Sequence, residues 1–151
     1  MPIKERGKYN PINFFKLTQN TIRKRLPKDS SKAFYDLLIK NILSNKYGFR
    51  LSRDWSNTKS SKGWDNRPFI AEGYYIKNIE IFSKEGHLTI GFKKRKKHPR
   101  TKYPLGEIAK VLEYGIADKN IPARPLWRNT IEEFMQKYSQ FVTKKLDDSF
   151  K

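Results

Sequence analysis

The side chains that could do chemistry in this chain are few, and the scarcest is histidine: there are two, His87 and His98. A Ser-His-Asp arrangement or a histidine metal pair would have to be built on one of them. His87 falls in a predicted strand and His98 beside Pro99 in a basic run, and neither has a partner at H-x-x-x-H or H-E-x-x-H spacing. The absence of cysteine removes disulfides, thiolate zinc sites and cysteine nucleophiles together. The eight glycines form neither G-x-x-x-x-G-K nor G-x-G-x-x-G, so no phosphate loop is written here. Carboxylates with neighbouring lysines, as from Glu107 to Lys110 and from Asp65 to Glu80, are the ingredients of a metal-assisted nuclease. Such pairs arise by chance in most charged chains. The reading is therefore a protein with no catalytic residue, no metal and no cofactor.

What the chain has in excess is positive charge. Thirty-three Lys and Arg face 15 Asp and Glu, for a net +18, and the excess precedes Tyr103: residues 103–151 carry 8 basic against 7 acidic groups. A chain of this kind seeks polyanions or acidic protein surfaces. The densest run is KKRKKHPRTK, in which Lys93, Lys94, Arg95, Lys96, Lys97, Arg100 and Lys102 are candidates for contact with DNA or an acidic partner. A solvated arm and a specific contact are both open for this run. Trp55 and Trp64, interleaved with Lys59, Lys62 and Arg67, add the aromatic component of a nucleic-acid surface, though no helix-turn-helix, zinc-finger or RNA-binding signature accompanies them.

The elements that must position these groups follow from periodicity. The 151 residues, 36% hydrophobic, suit one domain with a modest core, and no run is long and apolar enough for a membrane span or a secretory signal. Asn10-Pro11 reads as a helix start and Pro27 as its stop, within an N-terminal extension of about 28 residues. Asp29, Ser30 and Ser31 then cap a helix over about 30–46, with Phe34, Leu37, Leu38, Ile42 and Leu43 as its apolar stripe. Residues 52–68 and 93–102 read as long loops, and 74–94 as a β-hairpin whose Leu88, Ile90 and Phe92 share one face. A short helix near 104–115 and a longer one near 125–146 complete an α+β domain, a small antiparallel sheet packed on amphipathic helices. The last helix presents Trp127, Ile131, Phe134, Tyr138, Phe141 and Val142 on one face.

Between these two helices Gly115 occupies a left-handed cap position, a proline-stiffened connector follows, and Pro125 opens the next helix. Residue chemistry alone makes this a packing corner wedged by Tyr114 and Trp127. The same residues carry a resemblance: Glu113-Tyr114-Gly115, then Ile121-Pro122-Ala123-Arg124-Pro125-Leu126-Trp127, is similar to the tail-completion, or neck, proteins of tailed bacteriophages, virion morphogenesis type. The likeness is motif-specific over 103–135, extends in element order over about 29–145, and is weak at Ala71-Glu72-Gly73. The long loop at 52–68 and the basic run at 93–102 depart from the pattern. The resemblance implies a non-enzymatic virion protein, assembled in the host cytoplasm, that forms a homo-oligomeric ring at the head-tail junction. Its neighbours would be connector and tail-terminator proteins, and genomic DNA would run through the channel. Arg124, Tyr114 and Trp127 would then serve subunit or partner contacts, with the Arg124 guanidinium held by its stiff connector for a bidentate carboxylate contact. The alternative is a non-enzymatic, basic nucleic-acid-binding module.

Overall fold

A computed structural model describes residues 26–70, 73–84, 87–93 and 96–148. Along the chain run α1 (Leu26–Leu43), α2 (Arg53–Ser61), the one-turn α3 (Tyr74–Lys77), β1 (Glu80–Lys84), β2 (His87–Gly91), α4 (Leu105–Tyr114), a 3-10 turn (Ala117–Lys119) and α5 (Leu126–Asp148). The expected helix start at Asn10-Pro11 lies outside the described residues. The α+β reading holds: two strands pair antiparallel, Ile81 opposite Ile90 and Phe82 opposite Thr89, with helices against them.

α1 and α5 form the main layer. They run antiparallel, since Asp29 at the start of α1 pairs with Lys145 near the end of α5 at 3.0 Å, while Phe34 meets Phe134 edge-on with centroids 5.6 Å apart. Leu38 and Ile42 of α1, Leu126 of α5, Ile70, Tyr75 and Ile79 make the buried core, with Ile90 and Phe92 packed on it from the sheet side. The end of the helix pair where α1 finishes and α5 begins is polar. Asn41 is 2% exposed and its Nδ2 donates to Tyr47 Oη (2.9 Å), Thr130 Oγ1 (3.3 Å) and Glu133 Oε2 (3.1 Å). The Glu133 carboxylate also accepts from the Tyr47 hydroxyl and pairs with Lys46 and Lys137. The ammonium of Lys46, then the Asn41, Lys137 and Tyr47 donors, draw its pKa from 4.5 down to about 2 against the opposing effect of burial.

Five details differ from the sequence reading. Pro27 does not end a helix but sits in the first turn of α1, where its missing N–H is not needed. α1 stops at Leu43, which is 44% exposed and so lies off the buried stripe. Residues 53–61, expected as loop, are helical: Ser52 Oγ caps α2 by accepting from Trp55 N at 3.3 Å. Residues 74–77, expected as strand, form α3, because Tyr75 and Ile79 reach the core four residues apart and Asn78 Nδ2 donates to Tyr74 O at 2.6 Å. Finally, the buried stripe of α5 is rotated toward Leu126 and Thr130, which leaves Ile131 49% exposed, because the polar Asn41 cluster draws Thr130 and Glu133 inward.

Candidate functional site

The corner from Glu113 to Arg128 is held by backbone geometry first. Gly115 ends α4 at φ 71°, ψ −179°, a positive φ but not the left-handed helical cap expected, and its N–H donates to Val111 O at 2.8 Å. A Cβ there would stand 2.5 Å from Ile121 O and 2.7 Å from Ala123 N, so the connector crosses where only glycine leaves room. Ile116 and Ile121 exchange both backbone hydrogen bonds, 2.8 and 3.0 Å, around the 3-10 turn. Arg124 N then donates to Leu112 O at 2.7 Å and ties the connector back onto α4.

Charge completes the corner. Glu113 is 7% exposed, and its two carboxylate oxygens accept from Trp127 N (3.0 Å) and Arg128 N (2.9 Å), the unsatisfied donors at the start of α5. A carboxylate at the last turn of one helix thus caps the next. It is a residue whose role the sequence reading missed: Glu113 stood in the motif without a function. The signal was there, since a glutamate at a helix C-terminus opposes the local dipole unless another positive end receives it.

The proposed contact residues separate. Arg124 is not aimed outward: it is 8% exposed, and its guanidinium Nε and Nη2 donate to the carbonyl of Arg50 at 3.3 and 3.1 Å. Burial pushes its pKa down, and its place is structural, because the connector turns the side chain toward the chain segment after α1. Trp127 is half-buried, with Nε1 donating to Tyr75 Oη at 3.0 Å and its ring 6.4 Å from Phe92. It does wedge the corner. Tyr114 does not. It is 68% exposed, with the Arg128 guanidinium 5.7 Å from its ring centroid.

The basic run behaves as a pinned loop over its described residues, not as a free arm. Lys96 N donates to Lys93 O, Leu105 N to Lys96 O, His98 N to Tyr103 O and Lys102 N to His98 O, at 2.8–2.9 Å, so the segment folds back onto the start of α4. His98 Nδ1 accepts from the N–H groups of Arg100 and Thr101, both at 3.3 Å, which fills its acceptor edge with loop-closing bonds. Lys93 pairs across the hairpin with Glu80 at 2.9 Å. The side chains of Lys96, Lys97, Arg100 and Lys102 are exposed, and Lys94 and Arg95 lie outside the described residues.

Next to this loop stands an aromatic group that includes both tryptophans singled out in the sequence. Trp55 and Trp64 meet edge-on at 6.4 Å, and Lys62 Nζ and the Arg100 guanidinium lie 4.7 and 4.8 Å from the Trp64 ring. Lys59, expected among the surface cations, is 1% exposed: its ammonium donates to the carbonyls of Asp65, Arg67 and Ile70 and ties the 64–70 segment to α2. Desolvation lowers its pKa, and all three of its donors are used. Arg67 is likewise engaged, forked onto Asp65. Among the described residues no cluster of three or more His, Asp or Glu could hold a metal, and no helix is long and apolar enough to cross a membrane. No protein-family model, curated protein or solved structure matches the chain.

Proposed function

We propose that this chain is a non-enzymatic structural subunit of the phage head-tail junction, a neck protein whose copies close into a ring around the DNA path. The observation that carries the reading is the outer surface of the corner built from the resembling motif. Tyr114, Ile131 and Met135 are 68%, 49% and 59% exposed, and Arg128 leans on Tyr114, so an apolar strip runs from the end of α4 along α5. A strip of this kind on a charged protein suits a contact with another chain. A second apolar face, on another element, gives it something to meet: Tyr35, Ile39 and Leu43 line an open hollow on α1 together with Asp36 and Lys40. Two unlike faces meeting head to tail generate a ring when the rotation closes.

In this reading Tyr114, Ile131 and Met135 of one copy meet the α1 hollow of the next, with Arg128 free to seek the Asp36 carboxylate across the contact. In such a ring Lys96, Lys97 and Lys102 offer their ammonium groups to acidic neighbours, the connector or the tail terminator, or to genome phosphates. Size exclusion with light scattering and negative-stain microscopy of the purified chain test this. Closed rings of constant copy number support it, and a chain that stays monomeric at every concentration opposes it. The exposed cations beside Trp64 favour the second reading, a nucleic-acid-binding module, in which DNA or RNA is bound by the monomer.

A further inference from the structure

The cavity beside the basic loop has a chemistry that ring assembly does not use. It measures about 270 Å³, below the roughly 300–1,000 Å³ of drug-sized sites, and suits one flat ring. Trp55 from α2, Tyr74 from α3 and His98 from the loop line it at the more exposed side, and the buried Tyr75 and Leu105 stand deeper. Trp55 is 43% exposed, a large aromatic left at the entrance of a hollow rather than drawn into the core. Tyr74 and His98 are fixed against each other edge-on at 5.5 Å, and the Tyr74 hydroxyl donates to Lys97 O at 3.2 Å, so that wall is preformed. Around the mouth the ionic groups are mainly cations: Lys62 and Arg100 on Trp64, with Lys96, Lys97 and Lys102 on the same loop. The carboxylates along these elements are Asp54, exposed on α2, Asp65, held by Arg67, and Glu107 on α4, paired with Lys110.

We infer that this cavity is a binding site for one unstacked base of a single-stranded nucleic acid, with Trp55 as the stacking surface and Lys62, Arg100 and the loop lysines on the flanking phosphates. The charge decides the class of occupant. An aromatic-lined pocket alone would take any flat apolar group, but a cationic rim on a chain of net +18 selects one that arrives with phosphates on both sides. A duplex keeps its bases stacked and cannot fill the cavity, so the site discriminates by strandedness. The inference does not rest on ring formation and holds equally for a monomer.

The test compares three labelled 12-mers by fluorescence anisotropy with the full chain: oligo(dT), an abasic strand of the same length and charge, and a duplex. Oligo(dT) is expected to bind about tenfold or more tightly than the abasic strand, and Trp55→Ala to erase that advantage while leaving abasic binding unchanged. Lys62→Ser with Arg100→Ser should weaken all three ligands together and flatten their salt dependence. Because Trp55 lies outside the buried core its variant stays folded, and Trp55→Phe, which keeps a flat ring at the mouth, retains part of the preference for oligo(dT). Equal binding of oligo(dT) and the abasic strand overturns the proposal. So does an equal loss on both strands in Trp55→Ala. If Trp55→Ala instead lowers the self-association of the chain and leaves oligo(dT) binding intact, the cavity holds a second copy and the proposal fails.

Discussion

Gly115 and Glu133 show how single residues set this structure. At Gly115 the backbone needs both a positive φ and an empty Cβ position, and the atoms in the way, Ile121 O and Ala123 N, belong to backbone that cannot step aside. Gly115→Ala is therefore expected to destabilise the fold by about 2–4 kcal/mol, more than strain at a free turn would cost. Chemical denaturation reads this directly; a loss under about 1 kcal/mol would mean that the connector moves freely. Glu133 gives a pH signature. Its folded pKa lies near 2, below its ordinary 4.5, so its contribution is present above about pH 4.5 and fades as pH falls through the folded value. Glu133→Gln should cost about 1–3 kcal/mol at pH 7, and the gap between variant and parent should close on acidification toward pH 2. A gap that stays constant with pH would contradict the assignment of the Lys46–Asn41–Tyr47 network to this carboxylate.

At the scale of elements, α4 and α5 meet at an angle fixed by Glu113. Glu113→Ala removes the acceptor for two N–H groups at the start of α5 and is expected to cost about 1–3 kcal/mol, with faster amide exchange at Trp127 and Arg128 than elsewhere in the helix. Uniform exchange along α5 would show that the cap is idle. The helices α1, α4 and α5 and the hairpin were legible in the sequence because their apolar residues recur at helical or alternating spacing. α2 was not, for a physical reason: its one buried side chain is Lys59, so no apolar period exists to read, and only Ser52 followed by Asp54 marked its start. α3 was hidden by composition, since Tyr-Tyr-Ile suits a strand while the burial of Tyr75 and Ile79 follows a helical turn. Arg124 was read from the stiffness of its neighbours, which do fix it, but the direction of fixing came from a contact 74 residues away with Arg50 O that no local pattern encodes. The pinned loop carries its own expectation. Replacing Lys96, Lys97 and Lys102 by Ser should leave the melting temperature within a few degrees of the parent, because the loop is closed by backbone bonds, while polyanion binding weakens with a smaller salt slope. A large drop in melting temperature would assign those side chains to the fold.

For the whole molecule, the net +18 keeps copies apart in dilute, low-salt solution, so self-association has to overcome repulsion and should strengthen as salt rises toward physiological values. The apolar faces on α5 and α1 are the proposed source of that association, and head-to-tail pairing makes a demand that no symmetric dimer makes. A copy blocked on one face keeps the other. Ile131→Asp blocks the α5 strip and Leu43→Asp the α1 hollow, both at exposed positions where the fold should tolerate the change. The most direct measurement is the mass, by light scattering, of each variant alone and of their equimolar mixture. The ring account predicts monomers for each alone and a 1:1 dimer, no larger, for the mixture. If either variant alone assembles as the parent does, or the mixture remains monomeric, the head-to-tail ring is contradicted.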